Sequence, residues 1–389
     1  MSVLPRIQEF AEELSAIRHD IHAHPELGFE ESRTASLVED KLKAWGVDEV
    51  HTGIGGTGIV GVLHGKMQGN RCVGLRADMD ALPIQEATDL PYASKNQGKM
   101  HACGHDSHTT MLLGAARYLA ETRDFAGKVH LIFQPAEEGL GGARRMLEEG
   151  LFDRFPCDEI YGMHNDPNSP EGRVSVKIGP AMSGATFFDI TVEGVGSHAA
   201  MPHQSRDPII VATALVQQLQ SVVSRNRPPA EPLVLSVTQI HAGSAYNVVP
   251  GTASIAGTIR YFSDELRDLT HERIQDLCAG FEKAYGVTIS VDLRNIFHVL
   301  MNDPDLGREY LKAAADVVGE ENAVETDQYA TGSEDFADML KVVPGAYCRV
   351  GHAGSVPLHN PGFVLDDGIL PIGASVMARV VERRLPVTQ

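Results

Sequence analysis

The run Met100-His101-Ala102-Cys103-Gly104-His105-Asp106-Ser107-His108 places three histidines, one cysteine and one aspartate within nine residues. Thiolate, imidazole and carboxylate together suit a borderline cation: zinc first, with manganese, cobalt and nickel as alternatives. Gly104 lets the backbone turn, so that Cys103 and His105 can approach one centre. Taken alone, the run also reads as a helix N-terminus capped by Asp106 or Ser107, beside an inert buried cysteine. Metal-capable side chains elsewhere tilt the balance. They are Asp78 and Asp80 in Arg-Ala-Asp-Met-Asp, Glu137-Glu138 after Gln134-Pro135-Ala136, the lone His164, and His359.

The paired glutamates need their own account. Neighbours on an extended segment point opposite ways, so both are not expected to serve one ion. Beside a metal, one can ligate while the other faces water as a general base. A solvated acidic turn is the plainer alternative, weakened here by Pro135 and the apolar strand leading in. His19, His51, His64, His130, His241 and His271 have no neighbouring cluster and read as structural or surface groups. Cys103 as a thiol nucleophile would leave Glu138, His164 and His359 unexplained. Gly55-Gly56-Thr57-Gly58 lacks the lysine and spacing of a phosphate loop, and no Gly-x-Ser-x-Gly elbow exists.

The elements that must position these side chains follow from periodicity. Helical spacing is predicted from Ile7 to Ile21, Ser32 to Trp45, Thr109 to Thr122 and Gly142 to Leu151. Strands are predicted at Ile59 to Leu63, Cys72 to Leu75, Val129 to Phe133 and Glu159 to Met163. This alternation implies an α/β fold with a largely parallel sheet sandwiched by helices. After Ser183 the order becomes strand (around Phe188 to Val192), helix (208–223), strands (233–240 and 252–261), helix (264–285) and strand (287–293). That is the β-α-β-β-α-β order of a ferredoxin-like unit. The α/β pattern then resumes with a helix at 305–318, a strand at 347–350 and a helix at 372–384. The expected division is 1–182 and 299–389 for a catalytic α/β domain, interrupted by a lid at 183–298. Strands ending at Leu75, Phe133, Met163 and Val350 each lead into one of the donor segments. In open α/β sheets, sites form beyond the carboxyl ends of strands.

Composition narrows the function classes. In 389 residues, 33 Lys and Arg against 52 Asp and Glu give a formal charge of −19. That balance argues against nucleic-acid and anionic-membrane partners. There is no apolar run of membrane-spanning length, and Glu9, Glu12 and Glu13 are unlike a signal peptide. Five scattered cysteines do not make a disulfide framework. The expectation is a cytoplasmic protein.

Several segments in order along nearly the whole chain resemble the hippurate hydrolase branch of the dinuclear zinc-peptidase-like metallo-amidohydrolases. They include Arg18 to Leu27, Gly74 to Pro83, His101 to Asp106, Gln134 to Gly139 and His198 to His203. Asn247-Val248-Val249-Pro250, Gly332-Ser333-Glu334-Asp335-Phe336 and His359-Asn360-Pro361 extend the match. The resemblance implies a zinc-peptidase-like α/β domain with an inserted ferredoxin-like dimerisation lid. It implies two divalent ions, bridged by Cys103, with Glu138 and His359 completing one and His105 and His164 the other. His105 stands in for a ligand histidine that the wider family carries where this chain has Asp78. Glu137 becomes the base, and Asp80 orients a metal ligand. Two divalent ions, a thiolate, Glu138 and a bridging hydroxide sum to about +1, enough to hold a substrate carboxylate within an acidic protein.

The expected reaction is hydrolysis of N-acyl amino acids (aroyl, indole-acetyl or acetyl) to a carboxylic acid and a free amino acid. In the lid, Arg260 is expected to hold the substrate carboxylate and Asn247 the scissile carbonyl. His198 is expected to donate to the developing oxyanion across a subunit interface, in a homodimer or homotetramer built through the lid. A deacetylase of N-acetyl-diaminopimelate type, or a related small-peptide hydrolase, is the alternative. A catalytically idle member that only binds metal, or a partner through its lid, is a third reading, opposed by the presence of Glu137 and every expected ligand.

Overall fold

A computed structural model describes residues 2–387. The chain divides into two compact units. The first takes in Met1–Ala181, Met301–Gln328 and Asp335–Gln389, and the second Met182–Leu300 and Tyr329–Glu334.

The first unit is built on a mixed sheet of eight strands. In chain order they are β1 (Glu49–Ile54), β2 (Gly58–His64), β3 (Met67–Asp78), β4 (Ala126–Gln134), β5 (Glu159–Asp166), β6 (Val174–Val176), β7 (Ala323–Glu325) and β8 (Gly345–Gly351). Their spatial order is β1-β2-β4-β3-β5-β8-β6-β7. The central four, β4-β3-β5-β8, run parallel. Parallel strands need crossover connections, and helices supply them, covering both faces. The sequence shows this as apolar runs without alternation: the first six residues of β2 are buried, as are the last seven of β3. Helices Ala11–His22, His105–Thr122 and Ile369–Arg384 pack together over the sheet, with Leu14, Leu112, Leu113, Val376 and Val380 in one core.

Three predicted helices differ in detail. The first is two, Pro5–Glu9 and Ala11–His22, broken at Phe10, where φ is −111°. The predicted Gly142 to Leu151 helix is likewise split, into Gly142–Glu148 and Leu151–Arg154, at the left-handed Gly150. The third begins at His105, four residues ahead of Thr109, so part of the histidine run is its first turn.

The second unit carries a four-stranded antiparallel sheet in the order Leu233–Ala242, Thr252–Tyr261, Gly184–Glu193, Thr288–Phe297. Helices Pro208–Ser221 and Asp264–Tyr285 pack on it around Leu215, Leu219, Ile255 and Ile274. Residues alternate buried and half-buried along Thr252–Tyr261, as a sheet with one covered face requires. Numbered along the chain, the strand order is 2-3-1-4, the ferredoxin-like arrangement read from the sequence. The fold class is therefore α/β with an inserted α+β unit.

Candidate metal centre

All four parallel strands deliver a donor segment at their carboxyl ends. β3 ends at Asp78, two residues before Asp80; β4 ends at Gln134, three before Glu137. β5 carries His164 among its last three residues, and the loop after β8 leads to His359, whose amide donates to the Ala102 carbonyl at 2.8 Å. His105 opens the helix that connects β3 to β4.

Left-handed backbone shapes three of these segments. Gly104 has φ of +89°, and an added Cβ there would meet Asn165 Nδ2 at 2.6 Å, so only glycine fits. Ala136 and His359 also lie at positive φ, 52° and 61°, where a side chain is costly. The Ala136 turn has a direct consequence. Glu137 and Glu138 do not lie on an extended strand and do not diverge: a carboxylate oxygen of each lies 3.9 Å from His105 Nε2. The sequence-based expectation of opposed glutamates fails because the chain has already left the sheet.

The structure brings Cys103, His105, Glu138, His164 and His359 together in overlapping donor groups. Cys103 with His105 and His164, Cys103 with Glu138 and His359, and His105 with Glu137 and Glu138 each have ligand atoms within 4.8 Å of one another. Cys103 is common to two of these groups. Its Sγ lies 3.5 Å from His164 Nε2, and Glu138 Oε1 lies 3.3 Å from His359 Nε2.

Outer contacts orient three of these candidate donors, His164, His105 and Glu138. His164 Nδ1 donates to the Asn165 carbonyl at 2.6 Å, which leaves Nε2 as the donor atom toward Cys103. Asp80 acts twice: Oδ1 is 3.2 Å from His105 Nδ1, and Oδ2 accepts from the Glu138 amide at 3.0 Å. His105 Nε2 and Glu138 Oε1 are buried and make no hydrogen bond. Two inward-facing ligand atoms without a proton partner are what a cation would satisfy, so the donor set fits a metal.

Charge agrees with that fit. The nearness of Cys103 and then of Glu138 pushes His359 up to about 10. Burial opposes charge on His105, but Asp78 and Cys103 outweigh it and hold the ring well above the usual histidine range. Burial, followed by Glu138, raises the Cys103 thiol. Burial keeps His164 neutral, well below its ordinary value. A site that draws positive charge onto His105 and His359 is one that favours a divalent cation.

Behind the donors lies a buried polar layer that sequence reasoning missed. His108 Nδ1 lies 2.7 Å from Asp78, and its Nε2 is 3.0 Å from the Asn165 amide nitrogen and 3.2 Å from Asn165 Oδ1, a ring wedged behind His164. Arg76 binds Gln134 at 2.8 Å, Asp78 at 2.8 Å and Asp335 at 3.2 Å. Arg18 and His22 both reach Asp106, each at 2.8 Å. Arg18, Asp78, His108 and Asp335 all lie within the resembling segments or the histidine run, but nothing in their spacing reveals who pairs with whom.

In the second unit, His198 and Asn247 lie side by side. His198 is in register with Val248, and the Ala199 amide donates to the Asn247 carbonyl at 3.0 Å. His198 is exposed, and its Nδ1 accepts from the Ala200 amide at 3.1 Å, a local turn contact. Arg260 lies on Thr252–Tyr261, donating to Thr258 and to the Ile259 carbonyl.

Of the histidines read as structural, His19 stacks on Tyr92 and pairs with Asp367 at 2.6 Å, and His271 contacts Thr186. His130 departs from that reading. It does have a partner cluster, Cys72 and Cys157, at the other end of β3 and β4.

Comparison with known proteins follows the same lines. The chain is 41% identical to a hippurate hydrolase of Campylobacter jejuni, over 99% of this chain and all of that one. It is 37% identical to an N-acetylcysteine deacetylase of Bacillus subtilis, covering 95% of this chain and 96% of the relative. In structure it resembles a dinuclear metal-binding M20 peptidase of Bacillus subtilis with a TM-score of 0.85 and 33% identity, covering 98% and 100% of the two chains. Among the described residues no helix is long and apolar enough to cross a membrane. The model of peptidase family M20/M25/M40 matches residues 74–383, and the chain belongs to that family of metal-dependent, amide-cleaving enzymes.

Proposed function

We propose that this protein hydrolyses N-acyl amino acids, aroyl and indole-acetyl compounds above all, releasing a carboxylic acid and a free amino acid in the cytoplasm. The observation that carries this reading is the convergence of five metal donors with Glu137, whose carboxylate is 3.9 Å from His105 Nε2 yet belongs to a different residue from the ligand Glu138. Cys103, Glu138 and His359 would hold one divalent ion, and Cys103, His105 and His164 the other. Zinc is the metal best matched to thiolate plus imidazole. Bound there, the ions would supply Lewis-acid polarisation of the carbonyl and lower the pKa of the attacking water towards about 7.

The chain's own residues supply the rest. Glu137 accepts the proton of the attacking water and delivers it to the amine nitrogen as the amide C–N bond breaks. Asp80 is a positioning residue, holding His105 through its ring and Glu138 through its backbone. Arg260 binds the carboxylate of the amino-acid half and Asn247 the scissile carbonyl. The segment 183–298 acts as a lid. Its exposed Ile209, Ile210, Val234, Ile240 and Val248 support a subunit interface, in a homodimer or homotetramer. There His198 donates to the oxyanion of the neighbouring subunit's site.

A hydrolysis panel tests the reading: benzoyl-, indole-acetyl- and acetyl-amino acids, each with added zinc, manganese, cobalt or nickel. Turnover of the aroyl and indole-acetyl compounds is expected. Exclusive turnover of acetyl compounds would favour the second reading, a deacetylase of the N-acetyl-diaminopimelate kind, which the likeness to an N-acetylcysteine deacetylase supports. The action of His198 in trans has its own test. Glu137→Gln and His198→Ala subunits, each inactive, are mixed under exchange. Random pairing restores up to about a quarter of parental activity if His198 serves its neighbour, and nothing if it serves its own site.

A further inference from the structure

Cys72, His130 and Cys157 form a second cluster of donor atoms, far from the catalytic donors. Cys72 Sγ lies 3.4 Å from His130 Nδ1, and Cys157 Sγ lies 3.5 Å from the same nitrogen. All three atoms are within 4.8 Å of one another. Tetrahedral zinc, with Zn–S near 2.3 Å and Zn–N near 2.0 Å, requires a sulfur-to-nitrogen edge of about 3.5 Å. Both observed edges meet that requirement before any side chain moves.

The fold builds this arrangement from regular backbone. In the parallel ladder of β3 and β4, Cys72 faces Lys128 and Gly74 faces His130, so Cys72 and His130 share one face of the sheet. Gly74, directly across from His130, leaves the space that the third donor uses. A Cβ on Gly74 would lie 3.1 Å from Cys157 Sγ and 2.9 Å from Ile160 Cγ1. Cys157 comes from the segment entering β5, and its neighbour Asp158 accepts from the Cys72 amide at 2.7 Å, which ties that segment to β3. Cys72 and His130 are 8% and 5% exposed, so two of the three donors are withdrawn from bulk water. A cleft of about 740 Å³, lined by His51, Cys72, His130, Arg154 and Asp158, gives an entry path from solvent. Cys72 precedes Asp78 by six residues of extended chain, about 20 Å, so no donor is shared with the catalytic end.

We propose that Cys72, His130 and Cys157 bind a third cation, a thiophilic divalent ion of the zinc class, with its fourth position facing the cleft. Two thiolates and one imidazole select a soft to borderline ion over magnesium or calcium. Such an ion would join β3, β4 and the entry to β5 at their amino ends, so its role is to brace the strands whose carboxyl ends carry the catalytic donors.

The test counts ions on the whole, reduced chain after zinc loading and removal of free metal, by native mass spectrometry. The parent is expected to hold one more zinc ion than a Cys72→Ser/Cys157→Ser variant, while hydrolytic rates agree within about twofold. In the parent, zinc loading beyond the catalytic ions should slow alkylation of Cys72 and Cys157 by iodoacetamide at least about tenfold, as read by peptide mapping. That measurement needs no substitution and stands if the double variant fails to fold; His130→Gln then replaces it in the count. Equal zinc content in parent and variant, or alkylation unaffected by zinc, overturns the proposal. So does a Cys72–Cys157 disulfide whose reduction creates no additional zinc site, since the pair would then be a redox couple. Loss of hydrolysis from the parent itself would bear on the proposed reaction and leave the zinc count intact.

Discussion

The two ends of β3, β4 and β5 are built on different principles. At the carboxyl ends the backbone is irregular: Gly104, Ala136 and His359 all lie at positive φ, and donors leave the ladder before they converge. At the amino ends, Cys72 and His130 project from regular, paired strand. The donor chemistry differs as well. The catalytic end mixes one thiol with two carboxylates and three imidazoles, and the other end has two thiols around one imidazole. Reactive sites need ligands aimed from several directions with room left for substrate, which a flat ladder cannot supply. The cost is backbone strain, offset here by outer contacts such as Asp80 on His105 and the Asn165 carbonyl on His164. A bracing site has no substrate to admit and can be read directly off two neighbouring strands.

The sharpest separation of the two ends comes from Glu137→Gln. It removes a proton acceptor and no proposed ligand, so kcat for N-acyl amino acid hydrolysis should fall by about 10²–10⁴-fold. Zinc content should match the parent at both ends. Activity within a few-fold of the parent would remove Glu137 from the reaction and with it the strongest contrast between a reactive and a bracing site.

Asp80→Ala should act on one end only, and less severely. It strips the outer partner from His105 and from the Glu138 amide, and loss of such a contact typically lowers metal affinity or activity by about 10–100-fold. Competition with a chelator would register weaker zinc binding at the catalytic end, with Cys72 and Cys157 still protected from alkylation by zinc. If zinc retention there matched the parent, Asp80 would owe its burial to packing.

Much of the catalytic end was legible in the sequence because its donors sit where strands stop. The ends of the predicted strands before Asp78, Gln134, His164 and His359 all lie on the observed parallel set, and the lid order was readable from its alternating strands and long helices. What escaped is what depends on lateral register. Nothing in the spacing says that Gly74 faces His130, because the two strands are joined by a crossover of 47 residues, 79–125, whose path fixes the register only after folding. His130 therefore looked isolated. The direction of the Glu137-Glu138 pair was misjudged for a related reason: it is set by the Ala136 turn, whose amide is held at 2.8 Å by Glu31, just ahead of the Ser32–Ala44 helix and about a hundred residues earlier.

The smallest expected effect probes the bracing end alone. Gly74→Ala adds one methyl group in the middle of β3, opposite His130. The new Cβ would meet Ile160 Cγ1 at 2.9 Å and Cys157 Sγ at 3.1 Å, so the sulfur must give by a few tenths of an ångström. Against this stands a gain: alanine loses less conformational freedom than glycine on folding, worth about 0.5–1 kcal/mol in a regular strand. These two contributions oppose each other, so thermal stability of the zinc-free chain should move by no more than about 1 kcal/mol in either direction. The third zinc ion should respond more clearly, because its geometry requires a sulfur-to-nitrogen edge near 3.5 Å that the displaced Cys157 no longer holds. Zinc binding at that end should weaken several-fold, and hydrolysis, four residues further along the strand at Asp78, should remain within about twofold of the parent. Hydrolysis that fell in step with the third ion would mean that the two ends are coupled through β3, and that bracing at one end helps to set donor geometry at the other.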